Sequence, residues 1–408
     1  GRDTWWQLGR QMAEEPGAKF AHAPTGGAFG SDFGIMLAWA NLTREQALKG
    51  ETTLALCDDP WLFRHLAQIQ GVDGGAAPGL FLGSARLMAR GVLARIKVAA
   101  LMAIAAMVMK KKRQALATGD SVILVYGHPS SDAEGYDAYF GSLMKSFPRL
   151  TRALHTDCPP RQAIKLMADG RTASLHGWGS ALFALSLIWV RWRPGPALLG
   201  GDHGWLVRRS AAVENGGGGP AMNRWQMHCQ DRWLESAPPN RVLWPWENHG
   251  WERNFCRSAR ALGVSTLGYQ HTVIGPHQFN YAIHTNPDGA ASIPDKLIAD
   301  GPAYRDEMAA WGIPEDRLVI GGALRFSRFE AGLHDGGGAV FVPLSAIPQA
   351  AEAQLGAAKS IAAKGRRTLV KTHPMYPVAV DEVENLERTE TPLAEQRGLS
   401  AVLYSTGT

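Results

Sequence analysis

The sequence predicts an α/β chain of two Rossmann-like domains, each a parallel sheet with helices on both faces. Short apolar runs that favour strands alternate with helical stretches along most of the chain. The runs fall into two series separated by the turn-rich stretch Asn286-Pro-Asp-Gly289, which divides the chain into an N-terminal domain, 1–288, and a C-terminal domain, 289–408. Polar motifs stand directly after several runs, at the carboxyl ends of strands, where open α/β sheets bind ligands.

In the first series Thr52–Cys57, Ser121–Tyr126, Leu187–Trp192, Arg241–Trp246 and Val264–Tyr269 read as strands, rich in β-branched and aromatic residues. The second series is Lys296–Ala299, Leu318–Ile320, Ala339–Val342, Thr368–Lys371 and Ala401–Tyr404. Val92–Met109 reads as a helix whose uninterrupted apolar part, between Lys97 and Lys110-Lys-Lys-Arg113, falls short of the roughly 20 residues that span a bilayer. It is either a buried helix with a solvated basic end or a helix lying on an anionic membrane surface. Asp202–Trp233, rich in charge and tryptophan, reads as a mobile loop and helix near a substrate. The glycine runs 216–219 and 336–338 lack the GxGxxG spacing of a dinucleotide site and read as flexible loops.

At 408 residues and 45 % hydrophobic content the chain can build large cores, and a formal charge of +5 is too mild to imply nucleic-acid binding. Cys57, Cys158, Cys229 and Cys256 are far apart, without metal-ligand spacing, so neither a disulfide framework nor a zinc site is indicated and a cytoplasmic setting is expected. With no initiator Met, and a last strand that stops short of a following helix, both ends read as trimmed. Among 14 tryptophans, Trp205, Trp225, Trp244, Trp246 and Trp251 lie in or beside polar stretches, where they suit either sugar stacking or a core.

Two regions carry chemistry. Lys371-Thr-His-Pro374 and Tyr404-Ser-Thr-Gly-Thr408 each follow a strand, and Lys371, His373, Ser405 and Thr406 together supply hydrogen-bond donors for a phosphate. Trp244-Pro-Trp-Glu-Asn-His-Gly-Trp-Glu252 and Gly268-Tyr-Gln-His-Thr272 also follow strands, and adjacent parallel strands would bring Glu247 and His271 together. A carboxylate beside an imidazole serves as base, nucleophile or orienting partner in group transfer. The alternative for Glu247 is to cap the following helix. His271, His277 and His284 lack carboxylates at helical spacing and make a poor metal site.

These residues resemble a family. The runs Trp246-Glu-Asn-His-Gly-Trp-Glu252, Gly268-Tyr-Gln-His271, Pro294-Asp-Lys-Leu-Ile-Ala-Asp-Gly301, Gly-Ile-Pro314 and Val319-Ile-Gly-Gly-Ala-Leu-Arg325 look like those of bacterial surface-polysaccharide glycosyltransferases. Among these the chain is most similar to the Kdo and sialic-acid transferases that use CMP-activated sugars. The similarity spans roughly Val242 to Thr408. The acidic motif departs from the family's pattern, reading Glu-Asn-His-Gly where the family has two acids before Gly.

The resemblance implies a GT-B fold with the acceptor on the N-terminal domain and the nucleotide on the C-terminal one. It implies transfer of an acidic sugar, Kdo or a related nonulosonate, from CMP to a growing polysaccharide or lipid-linked glycan. The enzyme would be metal-independent and need no cofactor beyond its co-substrate. Its partners would be the nucleotide-sugar donor and the glycan acceptor; the cysteine usage places it in the cytoplasm, and the basic apolar helix Val92–Met109 makes the inner face of the cytoplasmic membrane a place of peripheral attachment. His373, Ser405 and Thr406 would contact the CMP phosphate, Lys371 would add charge, and Gly322 and Arg325 would line the donor cleft. Glu247 would be the acidic residue, either a base giving inversion or a nucleophile giving retention, with His271 orienting it or the donor carboxylate. The competing expectations are a polyol-phosphate transferase using CDP-glycerol and a glycan-binding module that kept the fold without catalysis.

Overall fold

Seven parallel strands form the sheet that positions the candidate site: β1 (Ser121–Val125), β2 (Thr151–Leu154), β3 (Thr172–Ser174), β4 (Arg241–Pro245), β5 (Ser265–Tyr269), β6 (Lys296–Ala299) and β7 (Leu318–Ile320). The structure is a computed structural model that describes residues 1–15, 17–23, 31–50, 52–117, 120–275, 278–325, 334–374 and 376–405. It divides into two compact units, residues 1–327 and 328–408.

The strand order of the first unit is β3-β2-β1-β4-β5-β6-β7, parallel throughout. The chain steps outward from β1 to β3, returns past β1 to β4, and then runs the other way. Every carboxyl end therefore lies on one edge, and the order reverses between β1 and β4, the point where Rossmann-like sheets place ligands. The near-continuous apolar sequence of β1 suits a strand buried on both faces. Its Val122 and Leu124 enter one core cluster, while Ile123 and Val125 enter another on the opposite face.

The helices are α1 (Arg2–Ala13), α2 (Phe33–Lys49), α3 (Pro60–Leu66), α4 (Phe81–Met109), α5 (Gln114–Ala117), α6 (Leu143–Ser146), α7 (Pro160–Leu166), α8 (Ala181–Ser186), α9 (Gly204–Asn215), α10 (Gly219–Ser236), α11 (Gly250–Ala261), α12 (Pro302–Ala310) and, in the second unit, α13 (Pro348–Ala362). The larger cluster draws on α1 to α4 and α8 to α12, and the smaller on α6 and α7 with Phe140 and Cys158. Trp205, Trp225, Trp244, Trp246 and Trp251 are all buried, so of the two roles open to them they fill the core. Asp202–Trp233, expected as a mobile loop and helix, is instead mostly the helices α9 and α10, which insert Leu206, Val207, Trp225 and Trp233 into the same core.

Four expectations need correction. Thr52–Cys57 is not a strand: residues 52–56 are exposed with no neighbouring strand, and they lead to Asp59, whose carboxylate caps α3 through Trp61 and Leu62 N–H. Leu187–Trp192 is not one either. Leu187–Trp189 forms a 3-10 turn after α8, and Arg95 Nε donates to the Ile188 carbonyl (3.0 Å), which a ladder would require. Third, β6 and β7 pair with β5 in the first sheet, so the division into 1–288 and 289–408 gives way to one near residue 327. The Asn286-Pro-Asp-Gly turn resembles a linker in composition, but its side chains are anchored: Asn286 to Asn248 and Ser292, and Asp288 to Arg257. Finally, Gly322 and Arg325 fall in the first unit, after β7, rather than on a C-terminal donor domain.

Strands β2 and β3 were hidden by their brevity and by Arg152. That side chain is fully buried, donating from Nη2 to Asp169 (3.0 Å) and the Asp132 carbonyl (2.9 Å), and from Nε to Thr172 Oγ1 (2.9 Å). It ties both strands to the loop after β1.

In the second unit β8 (Ala339–Pro343), β9 (Thr368–Lys371), β10 (Leu386–Arg388) and β11 (Leu399–Val402) form a parallel sheet of order β10-β9-β8-β11. Val340, Val342 and Val370 pack with Ala351 and Ala358 of α13. Its order reverses between β8 and β11.

Arg152→Ala should destabilise the protein by about 3–5 kcal/mol, because it leaves the Asp169 carboxylate buried without its cation. Urea denaturation followed by far-UV circular dichroism measures this, and a loss below about 1 kcal/mol contradicts the role given to Arg152.

Candidate functional site

The turn from β4 into α11 is shaped by one carboxylate, that of Glu252. Glu252 is the third residue of α11 and is fully buried. Its Oε1 accepts from Trp244 Nε1 (2.9 Å) and from the Glu247 N–H (3.0 Å), and its Oε2 accepts from the His249 N–H. Capping of α11 is thus the work of Glu252, which leaves the Glu247 side chain free for other partners.

Between them Asn248 turns the chain through a left-handed conformation (φ 61°), which Asn tolerates better than most residues. Its Nδ2 donates to the carbonyls of Asn280 (3.0 Å) and Ala282 (3.1 Å), and its Oδ1 accepts from Asn286 (3.1 Å). Arg253 Nε reaches the Asn248 carbonyl (3.1 Å), and Asn280 Nδ2 reaches that of Glu247 (2.9 Å). The loop after β5 is clamped beneath the turn.

Glu247 is held between two imidazoles. Its Oε2 lies 2.7 Å from His249 Nε2, and its Oε1 lies 3.6 Å from His271 Nε2. The side chain of Glu247 is 33 % exposed, against 17 % for His249 and 10 % for His271, so the carboxylate is the member a ligand can reach. Expected only by strand adjacency, the pairing of Glu247 with His271 is present in the structure.

Aromatic and polar residues from β1 and β2 complete this edge. Tyr139, in the loop after β1, meets the His271 ring edge-on at 5.1 Å. Directly after β1, Tyr126 lies 4.7 Å from the ring of His155, which follows β2 and approaches Trp251 at 4.8 Å. His155 Nδ1 lies 3.2 Å from an Asp157 oxygen. Gly127 makes the turn after β1 at φ +66°, and a Cβ there would run into Cys158 Sγ. None of Tyr126, Tyr139, His155 and Asp157 was singled out from the sequence. The signal available for His155 and Asp157 was the Leu-His-Thr-Asp run, legible only once β2 is recognised.

Burial would raise the Glu247 carboxyl, but the hydrogen bond and charge of His249, with the charge of His271, bring it below the ordinary value. Burial would lower His249, yet the Glu247 hydrogen bond and the charges of Glu252 and Glu247 raise it. His271 is lowered, chiefly by burial. Burial pushes Glu252 up to about 7. The edge therefore presents an accessible carboxylate that is ionised at neutral pH, beside one imidazole, His249, that holds its proton more tightly than usual and a second, His271, that holds its proton less tightly. Among the described residues no group of three or more His, Cys, Asp or Glu side chains is arranged to hold a metal ion.

The other expected residues divide between the units. Arg325 Nη1 points to the His271 carbonyl (3.5 Å), and Gly322, at φ +81°, follows β7. In the second unit Lys371 ends β9 with its Nζ donating to the Glu390 carbonyl (3.0 Å), and His373 forms a bridge with Tyr376. Ser405 follows β11. Ser345, after β8, was not anticipated; its Oγ accepts from the Ile347 N–H (3.0 Å) ahead of α13, beside the point of strand reversal. His277 and Thr406 lie outside the described residues.

Compared with protein-family models the chain matches none, and compared with curated proteins it likewise finds no match.

The raised carboxyl of Glu252 has a consequence for stability. A group whose folded pKa lies above its ordinary 4.5 contributes stability below that value and loses it as pH rises through about 7. Glu214, also raised to about 7 by burial, acts with the same sign. His22, His176 and His228, lowered to about 4 by burial, act with the opposite sign below about pH 6.5, so the contribution of Glu252 is read as a difference: the unfolding free energy of the wild type relative to that of Glu252→Gln should fall by about 2 kcal/mol or more between about pH 5 and pH 8. Urea midpoints across that range test this, and an unchanged slope in Glu252→Gln contradicts it.

Proposed function

We propose that the protein is a glycosyltransferase of GT-B type that transfers an acidic sugar, Kdo or a related nonulosonate, from CMP to a hydroxyl of a surface polysaccharide or lipid-linked glycan. The observation that carries this reading is the accessible Glu247 carboxylate, fixed between two imidazoles at the carboxyl edge of a Rossmann-like sheet, two residues past β4 and beside the strand reversal. Two units, each with a parallel sheet of this kind, support the GT-B assignment.

The lowered pKa of Glu247 favours one of its two roles. A carboxylate held below its ordinary range is a weak base near neutral pH but is fully ionised, which suits a nucleophile. In the proposed cycle a Glu247 oxygen bonds the anomeric carbon while the bond to the CMP phosphate oxygen breaks, and that oxygen keeps the electron pair. The acceptor hydroxyl then attacks the same carbon from the side CMP left. Its proton passes to the neutral His271, and the bond to Glu247 breaks. Two displacements give retention. His249 holds Glu247 ionised and oriented, and Tyr126 and Tyr139 offer apolar ring surface to the sugar. Lys371, His373, Ser405 and Thr406 would receive the CMP phosphate.

Incubation with CMP-Kdo, CMP-sialate and CDP-glycerol in turn, with CMP release measured, tests the donor class. Turnover is expected with a CMP-sugar, and turnover with CDP-glycerol alone would point to a polyol-phosphate transferase. Glu247→Gln should lower kcat roughly 10⁴-fold with CMP affinity near that of the wild type. His373→Ala should weaken CMP binding roughly tenfold or more, the loss of one charge-assisted hydrogen bond. Equal loss of CMP binding in both variants would contradict the roles given.

A further inference from the structure

Among the described residues of the first unit, helix α4 leaves a long apolar face exposed. Gly91, Arg95, Ala99, Met102, Ala106 and Met109 lie on one side and are buried. Arg95 locks that side in place, donating to the carbonyls of Ile188 (3.0 Å) and Asn215 (2.9 Å). On the opposite side Leu82, Leu93, Ile96, Ile104 and Met107 are exposed, where an ordinary surface helix carries polar residues. At 29 residues the helix is about 43 Å long, so the strip is extended.

The strip continues onto α8 and the 3-10 turn after it, both packed along α4. Leu182, Leu185 and Trp189 are exposed there, and Trp189, at 81 %, is nearly as open as a side chain in an unfolded peptide. Tryptophan with leucine on such a face suits the boundary between lipid headgroups and acyl chains.

Charge selects the occupant. No Asp or Glu occurs from residue 74 to 119, where Arg86, Arg90, Lys97 and the run Lys110-Lys-Lys-Arg113 accompany the apolar strip, and none occurs from 170 to 201, where Arg191 and Arg193 follow Trp189. A second copy of this chain would bring these like charges face to face. An anionic bilayer complements them. Because the buried side of α4 is committed to the core around the sheet, the helix meets the bilayer lengthwise.

We propose that the outward face of α4, with α8 and Trp189, is a membrane-docking surface that lies in the headgroup region of an anionic lipid bilayer. The inference is independent of the reaction carried out at Glu247.

The test is flotation of the full chain with vesicles of phosphatidylcholine containing about 30 mol % phosphatidylglycerol, compared with phosphatidylcholine alone. The wild type should float with the anionic vesicles at least roughly tenfold more, and about 0.5 M NaCl should reduce the bound fraction. Leu93→Glu combined with Ile104→Glu should lower binding roughly tenfold or more with an unchanged circular dichroism spectrum, since both side chains point outward. Trp189→Ala, on a surface turn outside α4, should lower binding by itself and keeps the test open if the double variant fails to fold. A wild type that ignores anionic vesicles overturns the proposal, as does binding that neither set of substitutions alters. A wild-type dimer that the double variant converts to monomer, with no vesicle binding, also overturns it and assigns the face to a second copy.

Discussion

The buried carboxylate of Glu252 is the constraint on which the site depends. By accepting from Trp244, the Glu247 N–H and the His249 N–H it fixes the path of the chain between the end of β4 and the first turn of α11. That path leaves no capping task for Glu247 and turns its side chain toward His249 and His271. Its position costs desolvation, visible in a carboxyl pushed up to about 7, and the donors around it offset the cost. The left-handed Asn248, bonded to the loop after β5, holds the same turn from the other side.

The same edge separates charge states within a few ångströms. Glu247 is drawn down and His249 drawn up by each other, while His271, more deeply packed and beside Arg325, is held down. An ionised carboxylate, an imidazole that favours its ionised form and a second imidazole that holds its proton less tightly are the components that the proposed double displacement uses. Parallel strand order brings them together from β4 and β5, and the reversal at β1 sets Tyr126 and Tyr139 beside them.

Much of this was legible in the sequence because strands buried on both faces announce themselves as apolar runs. Ser121–Val125, Arg241–Pro245 and Lys296–Ala299 are such runs, and the polar residues after β4 and β5 marked the edge on which Glu247 and His271 meet. Arg152 defeated the same reasoning. A buried arginine, neutralised by Asp169 and bonded to the Asp132 carbonyl, makes β2 look like a surface segment, and with β2 went His155 and Asp157. Asn286 misled in the other direction, since a turn composition that usually marks a linker here serves hydrogen bonds inside the first unit. The division of labour between Glu247 and Glu252 was open because both stand near the start of α11. Only the positions of the donors distinguish them.

The proposed role of Glu247 as a nucleophile has a stereochemical signature that no supporting residue can imitate. NMR of the transfer product formed from a CMP-activated acidic sugar reads the configuration at its quaternary anomeric carbon from the shifts of the C3 methylene protons and the coupling of the carboxylate carbon to them. Retention relative to the donor is predicted. Inversion, or the absence of transfer from any CMP-activated acidic sugar, would contradict the account.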